Sequence, residues 1–245
     1  MTLADFDEVV FLDFEFIAHP GERPEPVCAV AIEQRSRKMF RLWLDGEEDR
    51  PVEPPFAQGP RVLTVAYFAS AELGCCRALG WPFPPWVLDL YVEFRAQTNG
   101  LALLHGRGLL GAMASYGLEA MEGAQKELLR KRILEGGPYD AEDQRRILDY
   151  CEADVRATEQ LFSRVIRDSD NLVLPLLRGE FMKVIASAEY QGVPVDAPLY
   201  RRMRERWTEL QANVIRPACM RPSLCLKTAI FARRNSALGW RAAIC

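Results

Sequence analysis

The segment Val9-Val10-Phe11-Leu12-Asp13-Phe14-Glu15-Phe16 constrains this chain more than any other. Its β-branched and aromatic residues read as a strand. Asp13 and Glu15 lie two apart, so both carboxylates project from one face while Leu12, Phe14 and Phe16 point to the other. Two carboxylates on a central, otherwise apolar strand are costly to bury unless something neutralises them. A hard divalent cation such as Mg²⁺ or Mn²⁺ does so through oxygen ligands. A strand end with both acids in water fits the same D-x-E pattern, so the motif alone is weak.

The rest of the chain supplies a frame for that strand. Val27–Glu33 and Lys38–Leu44 read as two more strands joined by the polar turn Gln34-Arg35-Ser36-Arg37, which together predict an antiparallel meander. Residues 45–60 are acidic and proline-rich, a loop. Arg61–Tyr67 is a further strand, Ala71–Leu79 a helix stopped by Gly80, and Trp86–Asp89 a short strand. From there to about 168 the pattern is helical. Asp140 is a candidate N-cap with Asp143 three residues on, and Ile147, Cys151 and Val155 repeat at helical spacing. Residues 172–214 read as two helices separated at Gly192-Val193-Pro194-Val195-Asp196, with Gly192 closing the first and Asp196 capping the second. Strands alternating with helices after a meander give an α/β domain over 1–168.

Composition narrows the function classes. The net charge is −3, but residues 201–245 carry ten basic and only two acidic side chains. The acidic remainder excludes a uniformly basic nucleic-acid binder and is compatible with an enzyme that holds cations or with a solvated surface of no special role. Seven cysteines without a C-x-x-C pair argue against a zinc site or a disulfide framework. The acidic start Met1–Glu8 lacks the basic opening of a signal peptide, and no apolar run approaches the roughly 18 residues of a membrane span. A cytosolic (cytoplasmic) protein, not bound to membrane, is expected.

A second acidic motif, Tyr150-Cys151-Glu152-Ala153-Asp154, sits in the last long helical stretch. Tyr150 and Asp154 are four apart and share a helix face. Asp154 is a candidate metal ligand, and Tyr150 a group that orients water; at its usual pKa, near 10, a tyrosine is a poor base. A packed Tyr150 and a solvated Asp154 fit the pattern as well. The D-x-E strand and the Y-x-x-x-D helix together resemble the DEDD exonuclease superfamily, in the tyrosine-bearing branch that includes RNase D and the proofreading domain of DNA polymerase I. The similarity runs from about residue 9 to 168. It implies a ribonuclease-H-like fold, a mixed sheet flanked by helices, here with a C-terminal helical appendage. It also implies two divalent cations, Mg²⁺ or Mn²⁺, and two-metal 3′→5′ hydrolysis of phosphodiester bonds.

The family's middle acid lies in an N-x-x-[FY]-D pattern, matched here by Phe68-Ala69-Ser70-Ala71-Glu72. Glu72 therefore stands where an Asp is usual, and Phe68 where an Asn is. Asp89, matching the Asp of the family's D-T strand motif, competes for the role and is otherwise supporting. The resemblance thus implies Asp13, Glu15, Glu72, Tyr150 and Asp154 as catalytic, the four acids among them as metal ligands. Phe16, Lys126 and Lys131 are candidate substrate contacts, with Arg132 nearby; a solvated helix face accounts for the basic residues equally. His19 and His105 have no partner at a recognisable spacing and are read as non-catalytic.

Glu189–Asp196 resembles the E-x-x-G-V-x-[VI]-D segment that joins exonuclease and polymerase regions in family A DNA polymerases. Residues 169–215 are accordingly read as a helical segment like the start of a polymerase domain, with too little chain after 210 for palm and fingers. Residues 216–245 form an irregular basic tail, expected to be a truncated or shifted reading frame or a disordered nucleic-acid contact. The expected partner is nucleic acid, single-stranded DNA first, with RNA in the manner of RNase D as the alternative. A non-catalytic binding module that keeps the fold is the reading from another class.

Overall fold

Five strands assemble around the acid-bearing segment. The computed structural model describes residues 1–19, 21–46, 50–119, 123–167 and 171–219, with the backbone alone at 123–125 and 215–219. Two compact units are present, Met1–Gln191 and a second from Gly192 onward.

In the first unit, β1 (Glu8–Ile17), β2 (Glu25–Glu33) and β3 (Met39–Trp43) form the expected meander. β4 (Val62–Ala66) and β5 (Trp86–Asp89) extend the sheet on the other side, giving the order β3-β2-β1-β4-β5. β1 is antiparallel to β2 and parallel to β4, so the sheet is mixed. The fold is α/β with helices on both faces, as the sequence predicts.

β1 is central, which explains its composition. Its odd-numbered residues Val9 and Phe11 belong to one core layer and its even-numbered residues Val10, Leu12 and Phe14 to the other. A strand covered on both faces must be apolar on both. On the first face lies α5 (Ala141–Val165), whose Phe162 ring meets Phe11 edge-on at 5.3 Å. On the second, Phe14 packs on Trp81, just beyond α1 (Ala69–Ala78).

The helical stretch after β5 is interrupted. It resolves into α2 (Leu90–Gln97), α3 (Leu109–Ser115), α4 (Gly123–Glu135) and α5. Asp140 does cap α5, its Oδ1 accepting from the Asp143 amide at 2.8 Å. The buried stripe contains Ile147, Cys151 and Val155 as the spacing predicts. α1 begins two residues earlier than its sequence suggests. The reason is a cap from a distant element, the Asp89 carboxylate, which accepts from the Phe68 and Ala69 amides at 3.3 and 2.9 Å.

α6 (Val173–Gln191) packs against α1 and β5. Two features hold it there. Arg178 forms a two-pronged pair with the buried Glu93 of α2, at 2.6 Å through each oxygen. Gly179 rests on the β5 backbone, so closely that a Cβ would lie 1.8 Å from the Val87 carbonyl oxygen.

The second unit contains α7 (Ala197–Glu205) and α8 (Trp207–Cys219). Asp196 caps α7, accepting from Leu199 at 2.9 Å, and Gly192 adopts a left-handed φ of 71°. The sequence predicts one helix here; the structure has two, parted at Arg206. Most of the basic tail, residues 220–245, lies outside the described residues. No described helix is long and apolar enough to cross a membrane.

The close approach of α6 to β5 generates a test. Gly179→Ala should lower stability by about 3 kcal/mol, because backbone rather than a flexible side chain must yield. Gly74→Ala is the control: its added carbon meets only the Pro24 ring at 3.5 Å. That helical replacement should gain about 0.5–1 kcal/mol. Urea denaturation of the two variants distinguishes them; equal midpoints would rule out the tight α6–β5 contact.

Candidate metal centre

β1 outruns its parallel partner. Pairing with β4 ends at Phe11↔Val65, while pairing with β2 continues to Ile17. Asp13 and Glu15 therefore lie where the sheet has opened, beyond the carboxyl end of β4, a position where open α/β sheets bind ligands. Their side chains take the α5 face. Cys151 of α5 packs beneath them, its Sγ 3.4 Å from both the carbonyl oxygen and Oδ2 of Asp13. Cys28 pairs with Glu15 in register across β2. Asp154, three residues past Cys151, completes a group in which one oxygen from each of Asp13, Glu15 and Asp154 lies within 4.8 Å of the others. All three residues are only partly buried, so the group is open to solution.

Lys126 reaches in from α4. Its Nζ lies 2.5 Å from Oδ1 and 2.7 Å from Oδ2 of Asp154, and 5.4 Å from the centre of the Tyr150 ring. The sequence offers Lys126 as a phosphate contact; the structure places it on a carboxylate.

Glu72, in the first turn of α1, is 5% exposed. It accepts from the Phe14 amide, midway between Asp13 and Glu15. That amide faces the side β4 has vacated. Glu72 stands outside the group of three but within reach of its field, and its Oε2 is buried with no partner. Asp89 is also buried, and its oxygens are committed to the amides of Phe68, Ala69 and Val92. It caps α1 and α2 together.

The electrostatics follow from crowding. Burial, then the charge of Asp154, pushes Asp13 up to about 8; the Cys151 thiol and Lys126 oppose this. Burial and Asp13 raise Glu15 well above the ordinary carboxylate range. Burial, then Asp13 and Glu15, does the same to Glu72. Asp154 is raised by burial, against the pull of Lys126 and the Tyr150 hydroxyl. Tyr150 itself is raised by burial and by the charges of Glu15, Asp154 and Asp13, so its hydroxyl keeps its proton. Four carboxylates with one ammonium leave an excess of negative charge. The donors are all oxygen and one is unpartnered, which fits a hard divalent cation.

The other expected contacts lie elsewhere. Phe16 packs with the Leu12 and Phe14 core layer rather than beside the acids. Lys131 is exposed, 3.9 Å from Glu135 on its own helix. Arg132 ties α4 to α5 through Asp143 at 2.7 Å and to the Pro138 carbonyl. His19 and His105 are exposed and stand outside the acidic group. The Cys151 contact and the backbone role of Asp89 were not anticipated. The helical stripe does place Cys151 toward the sheet, which is the one signal for the former.

No family model and no curated protein matches this sequence. Solved structures do. RNase D of Trypanosoma brucei is similar with a TM-score of 0.53 and 17% identity, over 79% of this chain and 69% of that one. The same enzyme in complex with RNA U12 gives 0.52 and 17%, over 79% and 67%. RNase D of Escherichia coli, described as an exoribonuclease involved in structured RNA processing, gives 0.52 and 16%, over 84% of this chain and 51% of that one. This chain thus spans about half the length of the bacterial protein. The likeness is one of fold, an RNase D-like mixed sheet with flanking helices.

Crowded acids make stability depend on pH. Asp13 is raised from 3.8 to about 8, so between those values the folded state holds a proton that the unfolded chain releases. Stability of the metal-free protein should therefore be greatest near pH 4 and fall as pH rises towards 8. Glu15, Glu72 and Asp154 add in the same direction. Mn²⁺, competing with those protons, should raise the melting temperature more at pH 8 than at pH 5.5. Asp13→Asn should flatten the metal-free profile and weaken the Mn²⁺ response. Calorimetry with chelator or with Mn²⁺ checks both, and a profile rising from pH 4 to 8 would contradict the crowding.

Proposed function

We propose that this chain is a divalent-metal-dependent 3′→5′ exonuclease acting on single-stranded RNA ends. One observation carries the reading. Asp13, Glu15 and Asp154 converge within 4.8 Å at the opened end of the sheet, and the buried Glu72 adjoins them with a free oxygen. An excess of carboxylate at a solvent-open site serves cations, and cations serve phosphate chemistry. The choice of RNA follows the neighbours, which are RNases D, one of them bound to RNA. The sequence order of preference, DNA before RNA, is thereby reversed. DNA retains one argument, the polymerase-like pattern at Glu189–Asp196, although its Gly192 and Asp196 already serve as a helix stop and a helix cap.

Asp13, Glu15, Glu72 and Asp154 are assigned as the ligands of two Mg²⁺ or Mn²⁺ ions. Bound there, the ions would supply Lewis acidity to the attacking water and to the leaving 3′ oxygen. Tyr150, held protonated, presents a hydroxyl that orients water and is too weak a base to deprotonate it. Lys126 offers an ammonium that can exchange the Asp154 carboxylate for a substrate phosphate. The buried thiols of Cys28, Cys75, Cys76 and Cys151 suit a cytosolic setting.

The test uses 5′-labelled single-stranded RNA and DNA of one sequence, with Mg²⁺ or Mn²⁺. A ladder shortening from the 3′ end, faster on RNA, is expected. Asp13→Ala should abolish it. Tyr150→Phe should lower kcat about 100-fold with Mn²⁺ affinity unchanged, the size of effect expected from a misplaced reactant. Absence of cleavage of both strands with both metals would leave the fold as a binding module.

A further inference from the structure

Phe68 stands in a conformation that its residue type avoids. Its φ of 78° and ψ of 57° are left-handed, and only Arg37 shares a positive φ among the described non-glycine residues. A bulky side chain there is uncommon, and it persists where surrounding structure enforces it. The enforcing group is Asp89. One buried carboxylate takes the Phe68, Ala69 and Val92 amides. The ring so positioned is not core: Phe68 is 44% exposed. It meets Tyr91 edge-on at 5.1 Å, and Tyr91 meets Tyr67 at 5.9 Å, which makes a partly open aromatic step.

The step adjoins both the acids and a basic groove. Phe68 is the N-cap of α1, so Glu72 follows it by about one helical turn, and Glu72 is bonded to the strand between Asp13 and Glu15. On the other side, Val92, Arg95, Ala96, Asn99 and Arg107 line a groove of about 300 Å³. The Tyr67 hydroxyl donates to the Arg107 carbonyl oxygen at 2.5 Å, and Arg95 lies 5.5 Å from the Tyr91 ring centre. Neither guanidinium has a carboxylate partner among the described residues. Arg41, Arg132 and Arg178, by contrast, each face a carboxylate.

We propose that Phe68 and Tyr91 form a stacking platform for a base of a single-stranded nucleic acid, and that Arg95 and Arg107 hold the phosphates that follow it. The chemistry matches a strand with exposed π-faces and a charge at every link. A duplex conceals its base faces and would not use the ring. This deepens the exonuclease reading and rests on it for the direction of the strand, whose 3′ end would lie toward the acids. Asp89 is then a positioning residue: it acts on substrate only through the ring it sets.

Binding in chelator separates this proposal from catalysis. The probe is a fluorescent single-stranded oligonucleotide of ten uridines, read by anisotropy. Phe68→Leu keeps an apolar side chain without a π-face, and should weaken binding about 10-fold. Phe68→Trp should restore it. If Phe68 serves only to pack on Tyr91, leucine should bind as the wild type does, and that result overturns the proposal. Replacing Arg95 and Arg107 with glutamine should lower the slope of log Kd against log salt; an unchanged slope removes the arginines from it. The melting temperature and Mn²⁺ binding of each variant establish that the fold and the acids are intact. Cleavage by wild type together with unchanged binding by Phe68→Leu would refute the platform and spare the exonuclease. Ring-dependent binding by a protein that cleaves nothing would do the reverse.

Discussion

Repulsion among crowded, largely part-buried carboxylates organises this molecule. Asp13 and Glu15 share one face of the central strand, Asp154 comes down on them from α5, and Glu72 approaches from α1. Burying charge without a partner is among the costliest things a fold can do. Each neighbouring element answers part of that cost. α4 contributes the Lys126 ammonium, β1 offers the Phe14 amide, and α5 brings a thiol instead of a methyl group against Asp13. What these leave unanswered is a demand for cations, and the demand is the basis of the functional assignment.

The remaining architecture keeps those elements in place with ordinary packing. α5 is pinned by an apolar stripe, by its Asp140 cap and by Arg132. α6 fixes the far edge of the sheet through Gly179 and through the Arg178–Glu93 pair. The pair is buried on the acidic side and half open on the basic side, so its worth lies more in fixing geometry than in net energy. Asp89, outside the acidic group, accepts from three backbone amides: it begins two helices and sets a backbone turn.

Local pattern made β1, the meander and α5 legible. Alternation along a strand places Asp13 and Glu15 together, and a four-residue step on a helix places Tyr150 with Asp154, without any knowledge of tertiary structure. Motif spacing also marked Glu72, but not its bond to the Phe14 amide, which depends on where β4 ends. Lys126 was visible as a cation but not as the partner of Asp154, because 28 positions and the turn between α4 and α5 separate the two in sequence. The start of α1 was misplaced for the same reason: its cap comes from Asp89, on another strand. Helix interruptions between 98 and 108 were missed because propensity sums to a helical average over a stretch that tertiary contacts divide. The positive φ of Phe68 has no local signal at all, since the residue is not one that favours it.

The early end of the β1–β4 ladder has a further meaning. Two parallel strands that part after Phe11 and Val65 form a fork, and Glu72 sits in its crotch, holding the amide that a longer β4 would have taken. Regularity of the ladder and room for the acids are therefore in direct opposition at this point. A sheet extended by two more pairs would be tidier, with every amide in its ladder, and it would have zipped shut the space where the acids meet.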